Sequence, residues 1–397
     1  MPNKKPYKKK LRVLIAHNAY QQRGGEDAVV EAEIAMLRSR GDIVECYFRH
    51  NDELKNMSSA FAAKETLWSS QTSRDLAGLV KDFSPDVIHV HNTFPLISPA
   101  LYWAAARASI PIVQTLHNFR LLCPQAIFLR EGKICEKCLG GFPWSAIRHR
   151  CYRNSVAQTG VISVMLGIHR GIGTYREKIT RYIVLNEFCR RKFIDGGLPA
   201  NKLSIKPNFV DVPVADDLNR QGGLFVGRLA EEKGIAVLLK ALDVSPQISV
   251  DVVGTGPAEP AVSTHRSVRF HGWQESAVIL KMMREAAYLV LPSICYESFP
   301  RTLVEAFACG LPVIVSRLGA MAEIVEEGKT GLLFEPDSAE DLTKKMLWAE
   351  ANPKAMRDMG KNARREYEAK YTAEINYQKL RLIYEEAITT AKCGIPV

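Results

Sequence analysis

The sequence predicts an α/β protein made of two doubly wound domains, and three observations support this. Short runs rich in Val, Ile and Leu alternate with longer amphipathic stretches, which is typical of buried parallel strands joined by helices. The rhythm restarts after KPNFVDVPVADD (206–217), a connection that contains Pro and Asp. The length of 397 residues also suits two domains, because single cores seldom grow beyond about 250–300 residues.

The predicted strands form one group in each half of the chain. The first group is LRVLIAH (11–17), DIVECYF (42–48), PDVIHVH (85–91), PIVQTLH (111–117) and RYIVLN (181–186). The second group is GLFVGRL (223–229), ISVDVVG (248–254), VRFHG (268–272), YLVLPS (288–293), PVIVS (312–316) and GLLFEP (331–336). We place Rossmann-like domains at 1–207 and 208–375, and expect a C-terminal helix at 376–397 to pack back on the first domain.

The composition is that of a globular protein rather than a membrane-spanning one. Apolar residues make up 47% of the chain and charged residues 24%. The window VISVMLGI (161–168) is much shorter than the roughly 18 apolar residues needed to cross a bilayer. The N-terminus lacks the apolar region of a signal peptide and the nine cysteines suit a reducing compartment, so we expect a cytoplasmic protein.

Positive charge is concentrated in the first half. Residues 1–200 contain 29 Lys and Arg against 17 Asp and Glu, whereas residues 201–397 contain 24 against 26. The opening MPNKKPYKKKLR carries six basic residues and no acid, which suits either a solvated tail or peripheral contact with an anionic membrane. Nucleic-acid binding would rest on charge alone, because the sequence shows no helix-turn-helix, zinc-finger or RNP-type pattern, and we expect no nucleic-acid partner.

Four predicted strand ends in the first half carry the dipeptide His-Asn: His17-Asn18, His50-Asn51, His91-Asn92 and His117-Asn118. Ligands of open α/β sheets bind beyond the carboxyl ends of the strands, so these pairs predict an imidazole in the cleft, although Asn also simply ends strands. After the first strand, Gly24 and Gly25 free the backbone to approach a ligand, and Glu26 begins a helix. A Gly pair is also an ordinary loop.

Two cations follow the first strand of the second half. In FVGRLAEEKG (225–234), Gly227 leaves room for a ligand, while Arg228 and Lys233 supply the positive charge that a diphosphate requires near a helix start. VVGTGPAEP (252–260) has two glycines but lacks the third of GxGxxG, so it gives little support to a nicotinamide or flavin site.

The stretch ICYESFPRTLVEAFACG (294–310) places Glu297 and Glu305 eight positions apart around a predicted helix start. Pro300 suits the first helical turn, and Gly310 ends the helix before the next strand. Both acids then face the carboxyl edge of the sheet and bracket a ligand at the helix N-terminus. Alternatively, one acid stabilises the helix dipole and the other is an unrelated surface residue.

Several separate motifs, in order along the chain, resemble the retaining nucleotide-sugar glycosyltransferases of family 4. They are GGE (24–26), TLHNFRLLCP (115–124), KPNFVD (206–211), GRLxxxKG (227–234), E-x7-E (297–305) and GAMAEIVEEGKTGLLFEPDSAEDL (319–342). The resemblance covers nearly the whole chain. It implies the GT-B fold, in which an acceptor-binding first domain faces a nucleotide-sugar-binding second domain across a cleft.

The resemblance also implies a role for each matching residue. Glu297 would hold hydroxyls of the donor sugar and Glu305 the ribose, while Arg228 and Lys233, beside Gly227, would neutralise the leaving diphosphate. Backbone amides between the two acids would contact sugar and phosphates; they belong to Phe299, Arg301, Thr302 and Leu303.

On the first domain, the resemblance implies that His117 touches the donor sugar near the reacting carbon. Gly24 and Gly25, with Glu26, would border the leaving phosphate or the acceptor. One departure concerns the loop CYESFP (295–300): related chains often carry E-G-F-G there, whereas this chain has Ser298 and Pro300. Because Pro300 has no amide hydrogen to donate, the contact with the donor sugar at that position is lost or replaced.

The implied activity is a retaining transfer of a hexosyl or related sugar to a lipid-linked or polysaccharide acceptor, in cell-surface polysaccharide or glycoconjugate biosynthesis at the inner membrane face. The sequence contains no D-x-D, so we expect no metal clamp and no cofactor for catalysis. A nucleotide-sugar epimerase of the same fold is the main alternative. A basic nucleic-acid-binding protein is the other.

Four cysteines of the segment 118–155 form a candidate structural zinc site. Cys123, Cys135, Cys138 and Cys151 include a C-x2-C pair, and four thiolates can hold zinc tetrahedrally, although free buried thiols would give the same pattern. Just beyond them, VAQTGVISVMLGIHRGIG (156–173) suits a core helix better than a shallow membrane contact.

Overall fold

The computed structural model describes residues 9–212 and 220–393. Residues 1–8 of the basic N-terminal segment, residues 213–219 of the predicted connection and residues 394–397 lie outside the described part. The described residues form two six-stranded sheets with helices on both faces, and one small two-stranded sheet. The predicted α/β architecture of two doubly wound domains is confirmed.

The first sheet contains β1 (Arg12–Ala19), β2 (Ile43–His50), β3 (Val87–Asn92), β4 (Ile112–Thr115), β7 (Arg181–Val184) and β8 (Leu203–Ile205). A short antiparallel hairpin joins β5 (Leu129–Arg130) and β6 (Lys133–Ile134). The strand order of the first sheet is β2-β1-β3-β4-β7-β8, and every neighbouring pair is parallel. The three residues of β8 were not predicted as a strand, because LSI is too short to show a pattern.

The second sheet contains β9 (Gly223–Val226), β10 (Val250–Val253), β11 (Val268–Gly272), β12 (Tyr288–Leu291), β13 (Val313–Ser316) and β14 (Gly331–Phe334). Their order is β11-β10-β9-β12-β13-β14, again all parallel. Every residue of β9, β12, β13 and β14 is buried. Burial on both faces explains why these strands are continuous apolar runs rather than alternating ones.

The helices of the first half are α1 (Gly25–Ser39), α2 (Ser59–Leu67), α3 (Ser70–Phe83), α4 (Ala100–Arg107), α5 (Trp144–Arg148), α6 (Val156–Gly171), α7 (Thr174–Glu177) and α8 (Glu187–Asp195). Those of the second half are α9 (Ile235–Val244), α10 (Glu259–Ser263), α11 (Ser276–Glu285), α12 (Arg301–Ala308), α13 (Gly319–Ile324), α14 (Ala339–Ala351), α15 (Pro353–Lys370) and α16 (Ala373–Lys392). Short 3-10 helices lie at Asn51–Asn56, Ala200–Lys202 and Glu231–Lys233. Among the described residues, no helix is long and apolar enough to cross a membrane.

The last helix, α16, lies against the first sheet although it follows the second domain in the chain. Its Leu380 and Tyr384 are fully buried in the same apolar cluster as Val13 of β1. The guanidinium of Arg381 lies 2.8 Å from the carboxylate of Asp42, and both side chains are nearly inaccessible to solvent. The chain therefore crosses between the domains twice, and the second crossing is fixed by a buried ion pair.

The strand orders determine where a ligand can bind. In the first sheet the order reverses between β1 and β3, and in the second between β9 and β12. At such a reversal, the loops that follow two adjacent strands leave in opposite directions and open a crevice at the carboxyl edge of the sheet. Ligand-binding residues are therefore expected in the loops after β1, β3, β9 and β12.

Candidate active site

The candidate site lies where the loops of the two sheets meet. The hydroxyl of Ser298, in the loop after β12, donates a short hydrogen bond to the carbonyl of His117, which follows β4. The side-chain amide of Asn186 donates to the carbonyl of Ser298 at 2.6 Å. The carboxylate of Glu323 accepts the amide of Phe188 at the start of α8, also at 2.6 Å. The two bonds of Ser298 hold the loop after β12 directly against the first domain, and the bond of Glu323 joins α13 to α8.

Lys233 and Glu297 form the central ion pair of the site. Their Nζ and Oε1 atoms are 2.5 Å apart, and the hydroxyl of Ser293 donates to the same carboxylate oxygen at 2.8 Å. Burial raises the pKa of Glu297, but Lys233 and Ser293 more than reverse this effect, so the pKa is lowered. Burial lowers the pKa of Lys233, and attraction to Glu297 reverses it, so that pKa is raised. Both groups are therefore charged at neutral pH.

Arg228 lies in the loop 227–234, which also carries Lys233, at the exposed edge of the site. Its side chain is 67% exposed and forms an ion pair with Glu232. The amide of Gly227 donates to the carbonyl of Val253 at 3.0 Å. Gly254, at φ +135°, packs so closely behind this loop that a Cβ there would lie 1.9 Å from the Gly227 carbonyl oxygen. The glycines of the 252–260 segment thus allow that segment to pack closely against the backbone of the loop that carries Arg228 and Lys233.

The start of α12 presents backbone amides toward the cleft. The helix begins at Arg301, and the first amides of a helix have no acceptor within it. The amides of Arg301 and Thr302 therefore suit a bound anion. The amide of Leu303 instead donates to the carbonyl of Pro300 at 3.0 Å, so its predicted contact with the donor would have to replace this bond. Phe299 is 9% exposed and packs in the core of the second domain.

Glu305 sits one turn into α12 and pairs with the same helix. Its carboxylate lies 2.9 Å from Nε of Arg301. Burial raises the pKa of Glu305, and Arg301 opposes this only in part. Glu305 and Glu297 thus differ, because only Glu297 has a lysine against its carboxylate.

His117 stands on a chain of buried histidines. Its Nε2 lies 2.9 Å from Nδ1 of His91, and Nε2 of His91 lies 3.3 Å from a carboxylate oxygen of Glu33. Burial and the neighbouring histidines lower the pKa of His91 to about 3 and that of His117 well below its usual value. Both rings are therefore neutral, with one N–H each. We place the proton of His91 on Nε2, which faces Glu33, so that Nδ1 of His91 is an acceptor. Nε2 of His117 then donates the hydrogen bond between the two rings, and Nδ1 of His117 is left as an acceptor.

The negative charge of Glu33 is balanced by a buried lysine. Nζ of Lys206 lies 2.9 Å from Glu33 Oε2, and both side chains are 1% exposed. Burial raises the pKa of Glu33, but Lys206 and His89 outweigh it and hold the pKa well below its usual value. Among the residues that the structure describes, one group could offer three metal ligands, with the ligand atoms within 4.8 Å of one another. It consists of Glu33, His89 and His91. The ammonium of Lys206 already supplies the cation there.

The glycine loop after β1 is held by an aspartate. Asp27 accepts the amide of Gly24 at 2.7 Å and lies 2.8 Å from Nε2 of His17. Gly25 stays exposed at the helix start. Glu26 points toward His117's neighbour Asn118, with oxygen and amide nitrogen 3.5 Å apart. Burial raises the pKa of Glu26 to about 7.

The His-Asn pairs divide into two roles. His17, His91 and His117 lie in a row, with ring centres 6.4 and 5.2 Å apart, whereas His50 lies apart from this row, against Asp52. The asparagines tie the strand ends together. The side-chain amide of Asn18 donates to Asn51 at 2.8 Å, and that of Asn92 donates to the carbonyl of Asn18 at 2.8 Å.

The four cysteines occupy one irregular lobe. Cys123 and Cys138 are buried, Cys135 and Cys151 are partly exposed, and all are free thiols. Burial and the three neighbouring thiols raise the pKa of Cys151 to about 11. In the described part of the chain, no three of their sulfur atoms lie within 4.8 Å of one another, so zinc binding would require them to move together. The zinc site stays a prediction.

The structure thus brings Lys233, Glu297, His117 and the start of α12 to one cleft, and sets Arg228 at its rim. The hydrogen bonds that join these residues involve none of Cys123, Cys135, Cys138 and Cys151. The sequence interpretation missed three supporting residues: Asp27, Glu33 and Lys206. Asp27 could have been predicted, because Gly-Gly-Glu-Asp is typical of a helix start. Glu33 and Lys206 could not, because their roles depend on the ion pair that they form with each other in the folded chain.

Family models match both halves of the chain. Residues 24–213 match the model described as Glycosyltransferase Family 4. Residues 217–366 match the model described as Glycosyl transferases group 1.

Curated relatives match parts of the chain. A phosphatidyl-myo-inositol mannosyltransferase of Mycolicibacterium smegmatis is 32% identical over 213 residues, which is 49% of this chain and 54% of the relative. A sulfoquinovosyl transferase of Arabidopsis thaliana is 29% identical over 308 residues, or 75% of this chain and 56% of the relative. The matches span about half the length of these relatives.

Solved structures share the fold over nearly the whole chain. Sucrose-phosphate synthase from Thermosynechococcus elongatus has a TM-score of 0.70 at 18% identity, covering 95% of this chain and 99% of that one. HepE from Anabaena, in complex with UDP, has a TM-score of 0.65 at 18% identity, covering 94% and 100%. The fold is thus GT-B and, with family models matching both domains, the chain belongs to glycosyltransferase family 4.

Proposed function

We propose that this protein transfers a sugar from a nucleoside diphosphate to a lipid-linked or saccharide acceptor, with retention of configuration. The observation that carries the proposal is the ion pair of Lys233 and Glu297 beside the start of α12 and His117. A cation, a row of free amides and a hydroxyl-binding carboxylate at one point suit a sugar diphosphate.

Cleavage of the anomeric C–O bond places negative charge on the departing diphosphate and positive charge on the sugar. The ammonium of Lys233, the guanidinium of Arg228 and the amides of Arg301 and Thr302 stabilise the former. Glu297 and the unprotonated Nδ1 of His117 accept hydrogen bonds from sugar hydroxyls. The departing phosphate takes the acceptor proton on the same face, and these cations rather than a metal neutralise it.

The acceptor side belongs to the first domain. A relative named as a phosphatidyl-myo-inositol mannosyltransferase supports a lipid-linked acceptor. Such an acceptor would be reached from the inner membrane face. Glu26, with its pKa of about 7, lies near His117 and suits an acceptor hydroxyl. Cell-surface polysaccharide or glycoconjugate synthesis would use such an acceptor.

A donor screen tests the proposal. Thermal-shift measurements with UDP-, GDP- and ADP-sugars should show one nucleotide that raises the melting temperature, and NMR of the product should show the anomeric configuration of the donor. Conversion of the donor sugar without release of a nucleoside diphosphate would identify an epimerase instead. Absence of a shift with every donor would contradict the assignment.

A further inference from the structure

A stretch of the first domain combines exposed apolar side chains with unbalanced positive charge. Residues 137–176 contain six Lys and Arg and no Asp or Glu. Trp144 is 70% exposed and Phe142 is 38% exposed, and their rings lie 4.3 Å apart. Isolated exposed apolar residues are ordinary, but an aromatic pair within an acid-free basic segment needs a partner.

Helix α6 extends this surface. Ile162 and Leu166 are buried in the core, whereas Val164 is 39% and Ile168 49% exposed. The expectation of a core helix therefore holds for one side only. Phe142 packs against α6, because a Cβ at Gly167 would lie 2.4 Å from its ring. The aromatic pair and the exposed stripe of α6 thus form one face, which we call the α5–α6 face.

A groove opens beside this face. It has a volume of about 250 Å³ and runs between α2 and α6. Val161 lines the groove, and Val161, Val164 and Ile168 lie on the same side of α6 because they are three and seven positions apart. The rest of the lining is mostly apolar, and its one charged member is Arg153.

The groove leads toward His117. Phe94 lines both the groove and the smaller pocket that contains His117. The guanidinium of Arg120 lies over the rings of Phe94 and Tyr152, 4.7 and 5.2 Å from their centres. An apolar chain in the groove would therefore bring an anionic head group past arginines to the site of transfer.

We propose that the α5–α6 face docks on an anionic lipid bilayer, so that the groove receives the apolar chain of a membrane-held acceptor. The role of the groove rests on the proposed function, whereas docking does not. Apolar side chains among cations fit an interface between head groups and acyl chains. A nucleic acid would instead need a basic channel whose aromatic rings are open to stack on bases. Here Phe142 and Trp144 pack on each other, and the rest of the exposed face, on α6, is aliphatic.

Co-sedimentation of the full chain with vesicles tests docking. Vesicles of phosphatidylcholine with 30% phosphatidylglycerol should bind it at least tenfold more tightly than pure phosphatidylcholine, and Ile168→Asp should weaken binding by about tenfold. Leu382→Asp is the matched control, since Leu382 is 50% exposed on α16 and should bind as wild type. Trp144→Ala should weaken binding, whereas Trp273→Ala, also at a 70% exposed tryptophan, should not.

All variants keep the basic residues 1–12, so wild-type binding by Ile168→Asp and Trp144→Ala together would assign any binding to the tail and overturn the proposal. Equal binding to neutral and anionic vesicles would overturn it as well. A third contrary result would be that the protein binds single-stranded RNA but no vesicles, and that Ile168→Asp abolishes the RNA binding. Melting temperatures of the variants must match wild type.

The groove is tested separately. Ala62→Trp, at a position that lines the groove, should keep vesicle binding and donor binding but reduce transfer to a lipid-linked acceptor at least tenfold. Unchanged transfer would refute the role of the groove. If the wild type bound no nucleotide-sugar, the proposed function would fail, and the vesicle assay would still decide whether the face docks.

Discussion

Replacing Lys206 with Met should destabilise the first domain by about 3–5 kcal/mol, because it leaves the buried carboxylate of Glu33 without its cation. The two side chains are 1% exposed and their charged atoms lie 2.9 Å apart. At an effective dielectric constant of about 20, two charges at this separation attract each other by roughly 5–6 kcal/mol. The variant loses this attraction while the cost of burying Glu33 remains.

Urea unfolding followed by circular dichroism measures the effect. With a slope of about 2–3 kcal/mol per molar urea, the midpoint of the first domain should fall by roughly 1–2 M. In the folded wild type the pKa of Glu33 is lowered, so its stabilising contribution is present at neutral pH and is lost in acid. Without Lys206 the carboxyl can become protonated more easily, so the destabilisation should be smaller at pH 5 than at pH 8.

Two further variants give this result its meaning. The double variant Glu33→Gln with Lys206→Met should recover much of the loss, because no isolated charge then remains. Lys344→Met, which removes an exposed partner of Glu340 on α14, should leave the midpoint unchanged. A Lys206→Met midpoint within error of wild type, or a loss independent of pH, would refute the buried ion pair.

Three other predictions concern the Lys233–Glu297 pair, Glu26 and the four cysteines. Lys233→Met and Glu297→Gln should each lower transfer about 10²–10³-fold without unfolding the protein, and near-normal turnover in both would refute the donor site. Acceptor-dependent transfer should rise with pH through about 7, because ionised Glu26 accepts a stronger hydrogen bond from the acceptor hydroxyl, and Glu26→Gln should remove this rise. A retained rise would exclude Glu26. Protein purified without chelator should hold about one zinc per chain. The Cys135→Ser variant should lose this zinc and the control Cys46→Ser should keep it, whereas less than about a tenth of an equivalent in wild type would refute the zinc site.

The strands were predictable because burial on both faces leaves a signal in each local run of sequence. The apolar runs predicted for both halves all contain strands of the two sheets. The hairpin β5–β6 and strand β8 escaped prediction, because they contain two or three residues each and depend on distant partners. Local patterns therefore predict the layers but miss elements that tertiary contacts impose.

The same difference separates the parts of the site. Glu297 and Lys233 stand in recognisable local motifs, so their positions could be predicted. Lys206 lies in a stretch read as a connection between domains, yet it is 1% exposed and bonds to Glu33 and Asn376. Those partners are 173 and 170 positions away in the sequence, and no local pattern encodes such a pairing.

The departure at Ser298 acquires a physical meaning in the structure. The sequence comparison identified Pro300 as a missing amide donor, but Ser298 is the residue that joins the domains, because its hydroxyl and carbonyl bond to His117 and Asn186. A glycine at this position could form the second bond but not the first. The His117 carbonyl therefore has a partner in the second domain that the family's usual glycine cannot supply. A donor that needs this carbonyl would have to displace the Ser298 hydroxyl, so we expect Ser298 as well as Pro300 to affect how a donor sugar is accommodated.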